Sequence, residues 1–211
     1  MKKQERDFDK EAATWDDHPA RVKLAEDVAG AIIRQVALTP DMEVLDFGCG
    51  TGLLALRIAP LVKSVTGADS SRGMLKVLEA KAAKQGLSNI STRHLDAGSR
   101  ISGAYDLIVS SMTFHHVEHV GVLLGELFQA LKVPGCLCVA DLDSDGGRFH
   151  EDNGGVFHFG FGKSALGEMF RQAGFAKVRK VPAAKVDKPD RTGKLRKFSI
   201  FLMIGEKSEK N

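Results

Sequence analysis

The sequence predicts an α/β protein with a seven-stranded, mainly parallel sheet that is covered by helices on both faces. Apolar segments of strand length alternate with segments of helical periodicity along most of the 211 residues, as a parallel sheet requires. The last two strand segments follow each other without a helix, which predicts an antiparallel hairpin at one edge of the sheet and an antiparallel terminal strand. Apolar residues make up 43% of the chain and charged residues 27%, so residues 1–211 are expected to form a single globular domain.

Seven segments have the length and apolar content of strands. They are residues 44–47, 64–69, 90–95, 106–111, 136–142, 178–186 and 198–205. In open sheets of this kind ligands bind at the carboxyl ends of the strands, so polar residues that end strands are expected to share one rim. Those residues are Asp46, Asp69, Asp96, Ser111 and Asp141.

Helices are predicted between these strands from periodicity and capping. Apolar residues recur at helical spacing from Val22 to Val36, after Pro19 in a first turn. Ser71 can cap a helix that Gly86 closes. Pro134 with the following glycine is expected to form a turn. The other predicted helices run from the end of the glycine loop to about residue 60, over 119–131 and over 163–173.

The loop after the first strand is the most informative stretch of the sequence. Asp46 comes shortly before three glycines at alternate positions, Gly48, Gly50 and Gly52. Glycines allow a sharp turn and let a ligand approach where a Cβ atom would block it. The following helix is expected to add a partial positive charge, whereas Asp46 adds a negative one. This combination suits a ligand with a cationic and an anionic part.

The loop, together with Asp69 at the end of the second strand and Asp96 at the end of the third, resembles the class I S-adenosylmethionine-dependent methyltransferases. The segments 113–117 and 174–175 extend the resemblance over most of the chain. It is nearest to the small-molecule branch that includes the quinone-biosynthesis C-methyltransferases. The resemblance implies a Rossmann-like fold, S-adenosylmethionine as cofactor, S-adenosylhomocysteine as product, and transfer by direct displacement.

The resemblance also implies roles for individual residues. Asp46 and the glycine loop would hold the methionine part of the cofactor, and Asp69 would accept both ribose hydroxyls. Asp96 would contact the adenine amino group, and Trp15 would close over the sulfonium through a cation–π contact. The implied cofactor-binding set is Trp15, Asp46, Gly48, Cys49, Gly50, Gly52, Asp69, Ser70, Met74, Asp96, Ala97 and Ser111.

Two histidines are the candidate catalytic residues. His115 and His116 follow the fourth strand at the predicted rim, and histidine is the commonest general base near neutral pH. In the alternative interpretation one ring packs against the cofactor and the other begins the next helix. A base is needed only if the acceptor atom carries a proton.

The sequence predicts no metal site. The run of histidines from His115 to His119 differs from the His-Glu-x-x-His zinc pattern. The spacing of Asp141, Asp143 and Asp145 resembles the start of a calcium loop. A strand rather than a helix precedes it, and Asp152 stands where a glutamate is usual.

Two segments are predicted to control access to the site. Residues 1–38 are expected to form an N-terminal helical lid. Residues 143–162 are expected to form a substrate loop for an apolar or aromatic acceptor, because four phenylalanines crowd it; the alternative is a plug packed on the core. Within this loop His150, Glu151 and His158 are further base candidates.

Two other functions compete with methyl transfer. An NAD-dependent oxidoreductase would need glycines at the first, third and sixth positions, but the sixth position from Gly48 is Leu53. Asp46 would also repel a pyrophosphate. A noncatalytic S-adenosylmethionine-binding protein is the second alternative.

Charge and composition restrict the partners. The net charge of +3 and the lack of a basic stripe argue against nucleic acid, so a small molecule is the expected partner. No apolar run reaches the roughly 18 residues of a membrane span. Three cysteines without a framework spacing, and a charged N-terminus, predict a cytoplasmic protein. Assembly into a homodimer is left open.

Overall fold

The computed structural model describes residues 7–96, 99–162, 164–190 and 192–209, and a single seven-stranded sheet is their central element. The order of the strands is β3-β2-β1-β4-β5-β7-β6. The strands are β1 (Glu43–Phe47), β2 (Ser64–Asp69), β3 (Ile90–His94), β4 (Tyr105–Ser111), β5 (Leu131–Leu142), β6 (Ala176–Pro189) and β7 (Leu195–Lys207).

The first five strands pair in parallel, and the last two form an antiparallel hairpin. β7 pairs antiparallel with both β5 and β6, which leaves β6 as one edge of the sheet. The predicted Rossmann-like fold with an antiparallel terminal strand is confirmed.

Six α-helices and three 3₁₀ segments surround the sheet within the described residues. None of these helices is both long enough and apolar enough to cross a membrane. The helices are α1 (Phe8–Glu11), α2 (Pro19–Gln35), α3 (Ala55–Ile58), α4 (Arg72–Lys84), α5 (Val120–Ala130) and α6 (Ala165–Gln172), and the 3₁₀ segments are Ala12–Asp17, Ala59–Leu61 and Phe114–His116.

The sheet separates two apolar clusters. Successive residues of a strand point to opposite faces, so Val44 of β1 belongs to one cluster and Leu45 to the other. Helices α2, α3 and α4 contribute to the Val44 cluster, whereas α5 and α6 contribute to the Leu45 cluster, for example through Leu124 and Phe170. The prediction of helices on both faces is confirmed.

The helix predicted after the glycine loop ends near residue 60 as expected, but only four of its residues, in α3, are α-helical. It continues as a 3₁₀ turn that ends at Leu61, so its dipole contributes less than that of a long helix would. One local prediction is wrong. Pro134 lies within β5 and not in a turn. The pairing of β4 with β5 shifts between Tyr105 and Leu107, and this bulge gives the proline a place where the ladder is already interrupted.

Candidate cofactor and acceptor site

The glycine loop joins the carboxyl ends of β1 and β2. The N–H groups of Gly48 and Cys49 both donate to the carbonyl oxygen of Ala68, at 2.8 and 3.1 Å. The N–H of Gly50 donates to Oδ2 of Asp69 at 2.8 Å. The chain is therefore held against the end of β2, and the predicted neighbours Asp69 and Gly50 are in direct contact.

The three glycines serve different purposes, although all have positive φ angles. A Cβ atom at Gly48 would lie 2.3 Å from the side chain of Thr113, and one at Gly52 would lie 2.2 Å from Leu78. These two positions therefore allow close packing of neighbouring segments. A Cβ atom at Gly50 would have no atom of the described chain within 4 Å. Gly50 consequently faces open space at the crevice.

The carboxylate of Asp46 is buried, and its negative charge is not fully compensated by the described residues. Its side chain is 1% exposed, and its Oδ2 atom has no hydrogen-bond partner among the described residues. Burial, together with the nearby charge of Asp69, raises the pKa of Asp46 to about 7. A buried carboxylate oxygen without a partner is costly, and it can be satisfied by a cationic or hydrogen-bonding ligand.

Asp69 stands at the end of β2 with both carboxylate oxygens engaged. Oδ1 accepts the N–H of Ser71 at 2.9 Å, and Oδ2 accepts that of Gly50. Burial raises the pKa of Asp69, although the N–H groups around it lower it. Each oxygen has a second lone pair, so the carboxylate can also accept hydrogen bonds from a ligand.

The rest of the predicted adenine side is more open. The side chain of Asp96 is 72% exposed and lies 3.0 Å from Nδ1 of His94. His94 also contacts the carbonyl oxygen of exposed Ser70 through Nε2 at 2.9 Å. Met74 is buried at 2% exposure, whereas the predicted residue Ala97 lies outside the described residues.

The N-terminal segment, residues 7–17, is docked on α4 and on the glycine loop through two carboxylates. Asp9 accepts hydrogen bonds from Ser71 Oγ at 2.6 Å and from the N–H of Gly73 at 2.7 Å. Asp16 accepts one from Thr51 Oγ1 at 2.6 Å and pairs with Lys81 at 2.5 Å. The predicted lid therefore touches the loop that it was expected to cover.

Trp15 lies in this docked segment and contacts two side chains. The guanidinium of Arg21 lies 3.9 Å from the centre of the indole ring, and the ring of Phe8 lies 5.9 Å away in an edge-on arrangement. The indole already has a cation of the chain itself against its face, and its contact with the cofactor sulfonium stays a prediction.

Three histidines meet at the segment 143–162. His115 is 1% exposed, and its Nδ1 atom donates to Asp141 at 2.8 Å. On the other side of the ring, Nε2 lies 3.1 Å from Nε2 of His150. His116 bonds through Nδ1 to the carbonyl oxygen of Gly155 at 2.8 Å. One nitrogen from each of the three rings lies within 4.8 Å of the others.

The predicted substrate loop, residues 143–162, is attached to these histidines. The N–H groups of Phe157 and His158 both donate to the carbonyl oxygen of His115, at 3.0 and 3.1 Å. The rings of Phe157 and Phe159 are exposed, whereas Phe161 is buried in the core. Part of the loop is therefore packed on the core and part of it presents aromatic surface, and its role as a substrate loop stays a prediction.

The acids of the calcium-like spacing point to three different partners. Asp141 holds His115, and Asp143 pairs with Lys180 at 2.6 Å. Asp145 accepts the backbone N–H groups of Gly147 and Phe149 and closes a turn of its own loop. Their side chains thus do not converge on one point within the described chain.

Ser111 and Thr113 connect the histidine segment to the glycine loop. Ser111 ends β4, and its carbonyl oxygen accepts Thr113 Oγ1 at 3.1 Å, while the same hydroxyl lies 3.3 Å from the carbonyl oxygen of Gly48. The glycine loop and the histidine segment are therefore adjacent.

Residues 44–135 match the family model of the methyltransferase domain. This stretch, somewhat less than half of the chain, is similar to that domain. The predicted resemblance to S-adenosylmethionine-dependent methyltransferases is confirmed, and the family implies S-adenosylmethionine as cofactor.

Curated relatives extend the similarity beyond this domain. The chain is 29% identical over 163 residues to an uncharacterized methyltransferase of Schizosaccharomyces pombe, a match that covers 69% of the chain and 57% of the relative. It is 31% identical over 111 residues to the ubiquinone biosynthesis O-methyltransferase of Bartonella tribocorum, covering 51% of the chain and 45% of the relative. The chain thus spans about half the length of these relatives. The second is named an O-methyltransferase, whereas the sequence resemblance was nearest to the C-methyltransferases of quinone biosynthesis.

Solved structures share the fold. The YcgJ protein of Bacillus subtilis superposes with a TM-score of 0.73 at 19% identity, covering 87% of this chain and 99% of that one. The Haloferax volcanii methyltransferase in a complex with the activator Trm112 gives a TM-score of 0.76 at 18% identity, covering 98% and 100%. At this identity the likeness concerns the fold of the methyltransferase domain.

Two features around the methyltransferase domain were missed from the sequence. The docking carboxylates Asp9 and Asp16 lie in a charged segment whose composition is typical of a solvated terminus. His150 was considered only as a further base candidate, and no pattern linked it to His115. The one sequence signal for this contact is the presence of a histidine in a loop rich in phenylalanine.

Proposed function

We propose that the chain is an S-adenosylmethionine-dependent methyltransferase that acts on a small-molecule acceptor. The observation that carries this proposal is the crevice at the carboxyl ends of β1 and β2. There Gly50 faces open space, Asp46 has a buried oxygen with no hydrogen-bond partner in the described part of the chain, and Asp69 lies at the end of the neighbouring strand. A nucleoside-linked amino acid has groups for each of these three features.

The cofactor's polar groups match this arrangement. Asp46 would face the ammonium group of the methionine part, because a cation compensates a buried carboxylate. Gly50 gives the backbone close access to the same part of the ligand. Asp69 would accept the vicinal ribose hydroxyls with the lone pairs left after it has accepted two backbone N–H groups. Ser70 and Asp96 lie further along the rim and would border the adenine.

Methyl transfer needs little from the protein beyond the positioning of the cofactor and the acceptor. Methyl transfer from a sulfonium is a one-step displacement in which the acceptor attacks the methyl carbon and the sulfur leaves as a thioether. Holding the two reactants in line can supply about 7–11 kcal/mol. The docked segment 7–17 would close the cofactor side and exclude water, with Trp15 near the sulfonium as a cation–π partner.

The acceptor would enter from the side of the histidines and the 143–162 loop. Exposed Phe157 and Phe159 favour an apolar or aromatic molecule of small size. His115 and His116 remain the candidate catalytic residues at this side. His115 is buried, so it would act through its contact with His150.

Calorimetric titration tests the cofactor half of the proposal. The full chain should bind S-adenosylmethionine and S-adenosylhomocysteine with one site each, and NAD should give no heat of binding. A radiolabelled methyl-transfer assay across phenolic, thiol, amine and carbon acceptors then tests the enzymatic half. Binding without transfer to any acceptor class would favour a noncatalytic binding protein. Absence of cofactor binding would refute both.

A further inference from the structure

The cluster of His115, His116 and His150 has the composition of a metal centre. We propose that these three imidazoles bind one divalent transition-metal ion of the zinc type next to the cofactor crevice. The inference rests on the proposed function for its role in catalysis, since the ion would bind the oxygen or sulfur atom of the acceptor. Metal binding itself can be measured without any turnover.

The spacing of the nitrogens is close to that of a ligand set. Zinc–imidazole bonds of about 2.0–2.1 Å in a tetrahedral site separate the ligand nitrogens by about 3.3 Å. Nε2 of His115 and Nε2 of His150 are already 3.1 Å apart, and the third nitrogen lies within 4.8 Å of both. A shift of about 1–1.5 Å by the third ring would complete the set.

The groups behind the rings are those that usually orient metal ligands. A ligating histidine normally donates its second ring N–H to a carboxylate or a backbone carbonyl, which fixes the tautomer. His115 donates through Nδ1 to Asp141, which is fully buried, and this leaves Nε2 as the ligand atom. His116 bonds through Nδ1 to the carbonyl oxygen of Gly155. Two of the three rings are therefore already oriented as ligands.

The kind of donor selects the kind of ion. Three neutral imidazoles suit zinc, cobalt, nickel, copper or iron, whereas magnesium and calcium prefer oxygen. Three protein ligands leave a fourth position open, which is typical of catalytic rather than structural zinc sites. The cluster fits this type because His116 and His150 are only half-buried.

The position of the cluster lets such an ion act on the acceptor. Thr113, two residues before His115, contacts the glycine loop, and the ring of Phe8 from the docked segment lies 5.7 Å from that of His116. An acceptor hydroxyl or thiol bound at the open position would lose its proton to solvent, because a divalent ion lowers the pKa of its ligand. The oxygen or sulfur would then form a bond to the methyl carbon as the carbon–sulfonium bond breaks, and the bond pair would remain on the leaving thioether. This makes hydroxyls and thiols the expected acceptor class.

Cobalt(II) titration of the chelator-treated full chain tests the site, because cobalt in a low-coordinate imidazole site absorbs visible light. Wild type should bind one cobalt per chain, and zinc should displace it. His150→Gln and His116→Gln should each weaken binding at least tenfold. His119→Gln is the matched control, since His119 is an exposed histidine near the cluster but outside it. Circular dichroism and thermal melts would verify that each variant is folded.

The possible results separate the two proposals. Absence of stoichiometric cobalt or zinc binding by wild type overturns the metal inference, as does equal affinity in folded His150→Gln and His119→Gln. Loss of methyl transfer in His150→Gln when wild type binds no metal would show that the histidines act as bases, which also overturns it. Metal binding without cofactor binding would refute only the proposed function, and cofactor binding without metal only this inference.

Discussion

The two ends of strand β1 place a carboxylate in opposite electrostatic environments. At the amino end Glu43 pairs with Lys132 at 2.8 Å and with Lys63 at 2.9 Å, and these lysines hold its pKa at about 2. At the carboxyl end Asp46 is buried and no cation of the described residues pairs with it, and burial together with the charge of Asp69 raises its pKa to about 7. The amino end of the strand therefore has its charges paired within the protein. The carboxyl end leaves a charge that a ligand can compensate.

The largest expected effect on this contrast comes from Asp69→Asn. The variant should weaken S-adenosylhomocysteine binding about 10- to 100-fold, since hydrogen bonds to a charged acceptor contribute about 1.5–3 kcal/mol. Asp106→Asn is the matched control at the other end of the sheet, where Asp106 pairs with Lys132. Calorimetry should find that Asp106→Asn binds S-adenosylhomocysteine with unchanged affinity. Equal losses of affinity in Asp69→Asn and Asp106→Asn would contradict the assignment of ligand binding to the carboxyl ends of the strands alone.

Asp46→Asn should stabilise the protein without ligand at alkaline pH. A raised pKa means that the folded state of wild type loses stability as the pH rises from the ordinary value of 3.8 to about 7. A shift of this size corresponds to on the order of 4 kcal/mol, and we expect about 2 kcal/mol after relaxation. Urea unfolding at pH 8 and at pH 5 measures the difference, which should be larger at pH 8. A pH-independent difference would exclude the buried charge as its cause.

Glu43→Gln should change the free energy of unfolding in the direction opposite to Asp46→Asn and by a smaller amount. A lowered pKa means that the contribution of Glu43 is present above its ordinary value of 4.5 and is lost as the pH falls through about 2. Thermal melts should therefore show a modest loss of stability at pH 7 that shrinks in acid. Cofactor affinity should stay within about twofold of wild type, because surface ion pairs act locally. A clear loss of cofactor affinity would refute the assignment of this end to stability.

His116→Ala should have only a small effect on cofactor binding. Its ring belongs to the histidine cluster and not to the proposed cofactor crevice, so calorimetry should find a change in affinity of less than about threefold, or about 0.7 kcal/mol. Asp69→Ala should lose far more. Comparable losses would move His116 into the cofactor site.

The rim at the carboxyl ends could be predicted because its signals are local. Asp69 ends a strand with a clear apolar pattern, and the side chain of Ser71 caps α4 by accepting the N–H of Met74, as its position suggested. Parallel strands then bring Asp46 and Asp69 together without further information.

Contacts between segments that are far apart in the sequence could not be predicted in the same way. His150 reaches His115 through a loop without periodicity, and their contact joins residues that are 35 positions apart. The docking of Asp9 depends on the hydroxyl of Ser71 and the N–H of Gly73, which are more than 60 positions away. Pro134 is a typical turn residue, and only the bulge against β4 makes it compatible with a strand.

The edge strand β6 has a consequence for the behaviour of the protein in concentrated solution. An open strand of 14 residues is a template on which another chain could add a strand and start aggregation. The positive charges of Lys177, Lys185 and Lys188 would repel a second copy of the same edge. Pro182 lacks an N–H, and the pairing with β7 shifts just after it, so the edge is not straight there. β6 thus ends the sheet and discourages fibril-like growth through strand addition.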